Sequence, residues 1–388
     1  MDAFVIGCFE AVADKLIKIL LERAEEKKSC LETLASVPGV FVPEFENEVY
    51  LQRVTNLDTS FYPVPQVLSS EGPFSSCFML ELSRGCSWGC NFCLLGYTQR
   101  PRRDRSLNKL IKLLEEAKRY GYEKVAFISS DFLGHPNAVE IANKALEMGF
   151  SISLPSLRAD KVDDKLLEVL ERGLVKTVTV APETASRKLK RVIGKEIENE
   201  AILKLARALP KTVSTLKLYF MAGLPGETKE DVKQNLEFIS KIYKDFKERN
   251  PRREVVVSVN PFIPKPHTPF QYCSFFNLER LKAIYNMYKN LRAPGLFIKL
   301  LHLKRAFIQA ILSLGGPDVS NVLGRIFEAG LTPSVWFKAF DLMPETVKRV
   351  KEGCNPEDRL PWEKIRTGVS TEYIRLRFEK AMEKLREN

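Results

Sequence analysis

Cys86, Cys90 and Cys93 lie three and two residues apart within eight positions of chain. Three thiolates on one loop can hold three irons of a 4Fe-4S cube, and no fourth cysteine lies close enough in sequence to complete the local set. One iron then keeps an open position, which marks a reactive centre rather than a structural plug. Two other chemistries cluster thiols. A disulfide framework is disfavoured, because the chain shows no secretory leader and its eight cysteines in 388 residues are scattered. A structural zinc needs a fourth ligand; His135, His267 and His302 are all distant in sequence, so only the fold could bring one. The other cysteines, Cys8, Cys30, Cys77, Cys273 and Cys354, read as small buried hydrophobes.

The loop must be held by something. Apolar runs at 78–82, 124–129, 151–155, 176–181, 215–221 and 254–262 alternate with helical patterns at 106–120, 137–147, 163–171, 196–208, 228–248 and 277–291. Strand then helix, six times over, predicts an α/β protein: a parallel sheet with right-handed crossovers, closed as a partial (β/α)6 TIM-like barrel. A seventh strand is expected at 296–301, and from about 303 the pattern turns helical, ending in a charged helix near 370–386. The expected division is 1–70, an N-terminal segment and linker; 71–300, the barrel; and 301–388, a helical C-terminal subdomain. No apolar run reaches the roughly 18 to 20 residues that a membrane-spanning helix needs, so a cytoplasmic protein without membrane contact is expected. The formal charge of +11 permits an acidic partner without requiring one.

In such barrels chemistry gathers at the carboxyl ends of the strands. The first strand leads into the cysteines. The second ends in Ser129-Ser130-Asp131, polar groups with reason to follow an apolar strand if they face a ligand. The third ends near Arg158, a guanidinium able to grip a carboxylate with two hydrogen bonds. The sixth runs into a proline-rich stretch containing His267, a candidate acid, base or substrate contact. Directly after the cysteines, Arg100, Arg102, Arg103 and Arg105 offer a row able to track phosphates, so nucleic acid is a compatible partner. Arg102 and Arg103 are the named substrate candidates there.

The spacing Cys-x3-Cys-x-aromatic-Cys, with Phe92 in the aromatic slot, resembles the signature of the radical S-adenosylmethionine (radical SAM) superfamily. The resemblance implies a 4Fe-4S cluster on Cys86, Cys90 and Cys93, with S-adenosylmethionine chelated by the open iron. It implies reductive cleavage of that cofactor to a 5'-deoxyadenosyl radical, and a reductant such as ferredoxin or flavodoxin. It assigns Phe92, Ser129, Ser130 and Arg158 to cofactor binding. The stretch Ala181-Pro-Glu183-Thr-Ala-Ser186 resembles a Pro-Glu-Ala-Gly-Ser segment, which assigns Glu183 and Ser186 to the cofactor. Gly223-Leu-Pro225 resembles the backbone along which adenine lies.

Within the superfamily the chain is most similar to the subgroup with an N-terminal cobalamin-binding domain. Residues 1–43 resemble that domain's last strand, helix and linker. The helix, from Glu10 to about Lys27, is expected to bury Val12, Leu16, Ile19 and Leu20 against the barrel or a partner chain. With one strand, one helix and no Asp-x-His-x-x-Gly, cobalamin binding is not expected. The substrate, small molecule or macromolecule, is not written in the sequence; methylation is one modification the kinship suggests. The alternatives are a radical SAM enzyme that modifies RNA and a non-enzymatic iron-sulfur electron carrier or scaffold; the latter leaves the polar strand ends and the glycine-containing adenine stretch unexplained.

Overall fold

The computed structural model describes residues 2–66, 71, 76–248, 250–275 and 277–387. Seven strands carry the architecture: β1 (Phe78–Glu81), β2 (Lys124–Ile128), β3 (Ser151–Ser153), β4 (Thr177–Glu183), β5 (Thr215–Ala222), β6 (Glu254–Pro261) and β7 (Leu296–Leu300). Each pairs in parallel with its sequence neighbours, Phe78 opposite Val125, Val125 opposite Ile152, Leu216 opposite Val255 and Val255 opposite Leu296. The β3–β4 junction is the thinnest. A single parallel bridge between Leu157 and Val180 joins them, with the Leu157 N–H donating to the Thr179 carbonyl at 2.8 Å. Among the described residues β1 and β7 do not pair with each other, so the barrel is partial.

The crossover helices α1 (Leu107–Arg119), α2 (Ala138–Glu147), α3 (Asp164–Arg172), α5 (Asn199–Ala208), α6 (Lys229–Lys247) and α7 (Leu278–Lys289) fall within a few residues of the expected spans. Their patterns explain them. On α1, Leu110, Leu113, Leu114 and Ala117 recur at helical spacing and are buried, and the Ser106 hydroxyl caps the first turn by accepting from the Lys109 N–H. α6 starts at a reciprocal capping box between Thr228 and Asp231. One short helix, α4 (Arg187–Ile193), escaped the periodicity reading because at seven residues it spans barely two turns. The C-terminal helices share the barrel's core: Phe307, Ile311 and Trp336 pack in one cluster with Val178, Leu218 and Val257. No described helix is long and apolar enough to cross a membrane.

The N-terminal segment differs from expectation. Its helix runs only from Ala13 to Arg23, and a second helix, Lys27–Ala35, follows; Phe4–Val5 pairs antiparallel with Val40–Phe41. These pieces enclose a small core of their own, made by Val12, Leu31, Leu34, Val40 and Val42. Leu16 and Ile19 pack partly on it, whereas Leu20 is 42% exposed, because one helix and a two-residue ribbon cover only one side of the first helix. The segment is fastened to the barrel by Arg84, which bonds Glu10 at 2.7 Å and Glu81 at 2.8 Å. The expected boundary near residue 70 falls among residues outside the described set.

Candidate functional site

The cysteine loop leaves β1 through a two-residue ribbon in which Ser83–Arg84 pairs antiparallel with Arg103–Asp104. Gly85 follows in the left-handed region at φ 87°. A Cβ there would meet the Gln99 carbonyl at 2.1 Å, so the turn requires glycine. Beyond it, Cys90 is buried while Cys86 and Cys93 are partly open. Burial pushes the Cys90 thiol up to about 11, with Lys195 pulling the other way; burial also raises Cys86, opposed by the Trp88 N–H. None of the three is in a disulfide.

A single zinc ion would draw its sulfur ligands to within about 2.3 Å of one point. Among the described residues no group of three or more Cys, His, Asp or Glu side chains is gathered for a metal ion, so the three thiols gain no fourth ligand from the fold. His135 is no spare ligand: its Nδ1 accepts from the Asn137 N–H and its Nε2 donates to the Arg105 carbonyl. Three free thiols on one loop at the carboxyl end of a parallel sheet are the donor set that a cube with one open iron requires, and the residues therefore fit that group.

Around the loop the strand ends converge. The charges of Asp131 and Arg102 act on Cys86, and those of Lys195 and Glu183 act on Cys90, which brings the ends of β2 and β4 to the thiols. After β2, the Ser129 hydroxyl bonds Ser83 at 2.7 Å and accepts from the Asp131 N–H. Asp131 accepts from the Trp88 indole at 2.7 Å and pairs with Arg102 at 3.4 Å. Arg158 stacks on the Trp88 ring, 3.5 Å from its centroid, and forks onto Asp160. Ser130 is exposed and its hydroxyl makes no side-chain hydrogen bond among the described residues.

At the end of β4, Glu183 is held at φ 65°, a conformation costly for a residue with a Cβ and concentrated at functional sites. Its carboxylate pairs with Lys195 at 2.8 Å. The following peptide is pinned by Asn235, whose side-chain oxygen accepts from the Ala185 N–H at 2.6 Å and the Thr184 hydroxyl at 3.1 Å. Ser186 sits differently from the cofactor role expected of it. Its buried hydroxyl accepts from the Leu189 N–H, capping α4, and donates to Asp231 at 2.6 Å, so its one O–H is not available to donate to a ligand. Gly223 and Pro225 occupy the turn after β5, where the Gly223 N–H donates to Glu227 at 2.5 Å. Burial pushes the Glu227 carboxyl up to about 8.

The rim is formed by the segment after β6. His267 lies there at φ 58°, and burial pushes its imidazole down to about 4, so it is neutral at pH 7. In the same segment a cleft of about 300 Å3 is lined by Phe92, Met221, Asn260, Phe262, Lys265 and Gln309; His267 is not among its lining residues. Phe92 of the cysteine loop thus meets the ends of β5 and β6.

The arginine row turns inward. Arg105 is fully buried against Glu81 and the Leu57 carbonyl; Arg103 bonds the Val54 carbonyl at 2.7 Å; Arg102 is held by Asp104 and Asp131; Arg100 bonds the Gly96 and Trp88 carbonyls. The expected open row of guanidiniums for phosphates is not what the fold presents, because buried carbonyls and carboxylates of the loop base claim them. Lys195, Asn91, Asn235, Glu227 and Arg377 were missed by sequence reasoning. Asn91, between two of the cysteines, and Glu227, two residues after Pro225, carried a positional signal; Lys195, Asn235 and Arg377 carried none.

Residues 80–239 match the family profile described as the radical SAM superfamily. The uncharacterized protein MJ0966 of Methanocaldococcus jannaschii is 33% identical over 328 residues, covering 83% of this chain and 68% of that one. The tRNA-2-methylthio-N(6)-dimethylallyladenosine synthase of Thermotoga petrophila is 21% identical over 257 residues, 61% of this chain and 56% of its own. The uncharacterized methyltransferase PH0819 of Pyrococcus horikoshii is 27% identical over 256 residues, covering 63% and 54%. The chain thus spans a little over half the length of the latter two. Among solved structures, the radical S-adenosylmethionine methyltransferase TsrM from Kitasatospora setae aligns over 70% of this chain and 53% of its own, at 15% identity and a TM-score of 0.45.

Proposed function

Since the chain belongs to the radical SAM superfamily and is a radical SAM enzyme, whose cofactors are a 4Fe-4S cluster and S-adenosylmethionine, we propose that Cys86, Cys90 and Cys93 hold three irons of the cluster. The observation that carries this reading is that all three thiols are free on one loop following β1, with Asp131 after β2 and the Glu183–Lys195 pair at the end of β4 acting on them. When bound, the cluster and its reductant, such as ferredoxin or flavodoxin, supply one electron that breaks the C5'–S bond of S-adenosylmethionine, leaving methionine and a 5'-deoxyadenosyl radical.

The chain's own residues bind, orient and keep water out. Ser130 and the Glu183–Lys195 pair are placed to contact the amino acid part and ribose of S-adenosylmethionine. Ser129 and Arg158 contribute by fixing Trp88 and Asp131. Gly223, Pro225 and Phe92 offer backbone and an aromatic face to the adenine. Asn260, Lys265 and His267 stand on the rim, where a substrate would enter. Apolar walls from Met221 and Phe262 exclude water from a reactive radical. The division into residues 1–70, 71–300 and 301–388 belongs to the same reading; the small separate core at the N-terminus supports its first unit, whereas the 301–388 helices share the barrel's core.

The reaction that follows is a modification of a small molecule or macromolecule. Methylation is favoured by one relative, named an uncharacterized methyltransferase, and cobalamin is not expected to take part. Anaerobic reconstitution followed by reduction with dithionite in the presence of S-adenosylmethionine tests the proposal. The expected products are 5'-deoxyadenosine and methionine; a loaded, reduced cluster that leaves S-adenosylmethionine intact would overturn it.

A further inference from the structure

We infer that Arg377, on the C-terminal helix Thr371–Arg386, is a positioning residue for the cysteine loop and that its charge raises the reduction potential of the loaded cluster. This rests on the reading that Cys86, Cys90 and Cys93 hold that cluster. Cys90, the buried cysteine, is bracketed by Gly89 and Asn91. Arg377 Nη2 donates to the Gly89 carbonyl at 2.7 Å and to Asn91 Oδ1 at 2.9 Å, gripping both sides of Cys90 from a position 288 residues away.

Asn91 is otherwise fully engaged. Its N–H and side-chain amide donate to the Ile193 and Val192 carbonyls at 2.8 and 2.7 Å, and its carbonyl accepts from the Phe270 N–H at 3.1 Å. Its side-chain oxygen has, besides Arg377, only the long 3.3 Å contact from the Tyr97 hydroxyl. Two glycines make room for the guanidinium. A Cβ on Gly89 would lie 3.3 Å from Arg377 Nη2, and one on Gly194 would lie 3.4 Å from it.

The helix does not need Arg377 to dock. Phe378, Ala381 and Leu385 pack against Leu189, Val192 and Leu224. Nor does the charge serve an ion pair, since no carboxylate bridges to Arg377 among the described residues. An unneutralised cation, fixed by charged hydrogen bonds to the backbone that carries a ligand, favours the cluster state with the extra electron. Gly89 and Asn91 turn toward that cation, so the loop geometry and the potential share one cause.

The test is made on the full chain after anaerobic reconstitution, without S-adenosylmethionine, comparing wild type with Arg377→Ala, Arg377→Gln, Arg377→Lys and Arg375→Ala. Arg375 pairs with Glu357 on the outer side of the same helix and controls for docking. Iron release to a ferrous chelator and the potential from a dithionite titration followed by electron paramagnetic resonance are read. Arg377→Ala and Arg377→Gln should titrate at a more negative potential, and Arg377→Ala should release iron about tenfold faster, the lower range for removal of an outer-shell partner. Arg377→Lys should restore the potential, and Arg375→Ala should match wild type in both readouts.

The inference is overturned if Arg377→Ala matches wild type, or if Arg375→Ala shifts the potential as far. Should Arg377→Ala fail to fold, equal potentials for the Gln and Lys variants would overturn it, and a wild-type potential for Lys alone would support it. A wild-type chain that takes up no iron would instead overturn the cluster reading, and this inference with it.

Discussion

The Glu183 carboxylate lies 2.8 Å from the Lys195 ammonium, with both side chains mostly buried and both charges felt at Cys90. Glu183 reaches this position through a left-handed backbone, so the strand end is bent to bring the pair to the thiols. Removing one partner strands the other charge in a poorly solvated place. Glu183→Gln and Lys195→Met should each lower stability by about 1–3 kcal/mol, and the double variant should recover part of the loss. Chemical denaturation of the four proteins measures the coupling. Binding of S-adenosylmethionine should weaken about tenfold in either single variant while iron content is kept.

Each of Cys86→Ala, Cys90→Ala and Cys93→Ala should leave a folded chain that cannot retain a cluster. Iron and sulfide assays and the visible absorption after anaerobic reconstitution check this. A variant retaining the full wild-type iron content would show that its cysteine is not a ligand.

Glu227 sets a pH dependence. Its folded carboxyl titrates near 8, far above the ordinary carboxylate value, because burial disfavours the charged form. The folded chain therefore binds this proton more tightly than the unfolded chain does. Stability present below about pH 4.5 is lost as pH rises toward 8, by at most roughly 1.4 kcal/mol per unit. Melting curves from pH 5 to 8 should fall for wild type and flatten for Glu227→Gln.

Asp131 links the cysteine loop to β2 through Trp88 and Arg102. Asp131→Ala leaves the buried Arg102 guanidinium with Asp104 as its one remaining carboxylate among the described residues and should destabilise by about 3 kcal/mol. Asp131→Asn, which keeps an acceptor for the Trp88 indole, should cost less. A tryptophan fluorescence change in the Ala variant that is absent in the Asn variant would report the freed indole.

Corrin binding needs a broad multi-stranded face, and the N-terminal segment offers two short strands around a small core. Incubation with hydroxocobalamin followed by desalting should leave no corrin spectrum. Stoichiometric retention would make cobalamin-dependent methyl transfer the leading reaction.

The barrel was legible because its signals are local. Alternation over four to eight residues marks a strand and a three-to-four spacing marks a helix, so strands such as Lys124–Ile128 and helices such as Leu107–Arg119 stand out within their own segments. The thiols were legible for the same reason, since a three-ligand loop is written in eight consecutive positions. The seventh strand, Leu296–Leu300, also declared itself by its apolar run.

What surrounds the thiols was decided by tertiary structure. Beside Arg102 and Arg103 only Asp104 is a local partner; Asp131 and the Val54 carbonyl come from other segments and draw the two guanidiniums inward. Ser186 looks like a ligand contact until Asp231, 45 residues on, takes its proton donor. Arg377 reads as one more charge on a polar helix until the fold lays that helix beneath the cysteine loop. A backbone's local preference depends on its nearest neighbours in the chain, whereas the partner of a buried polar group depends on which distant segments pack together. The sequence by itself therefore determined the thiol loop and the strand–helix frame, and only the packed chain decided which charges stand beside the thiols.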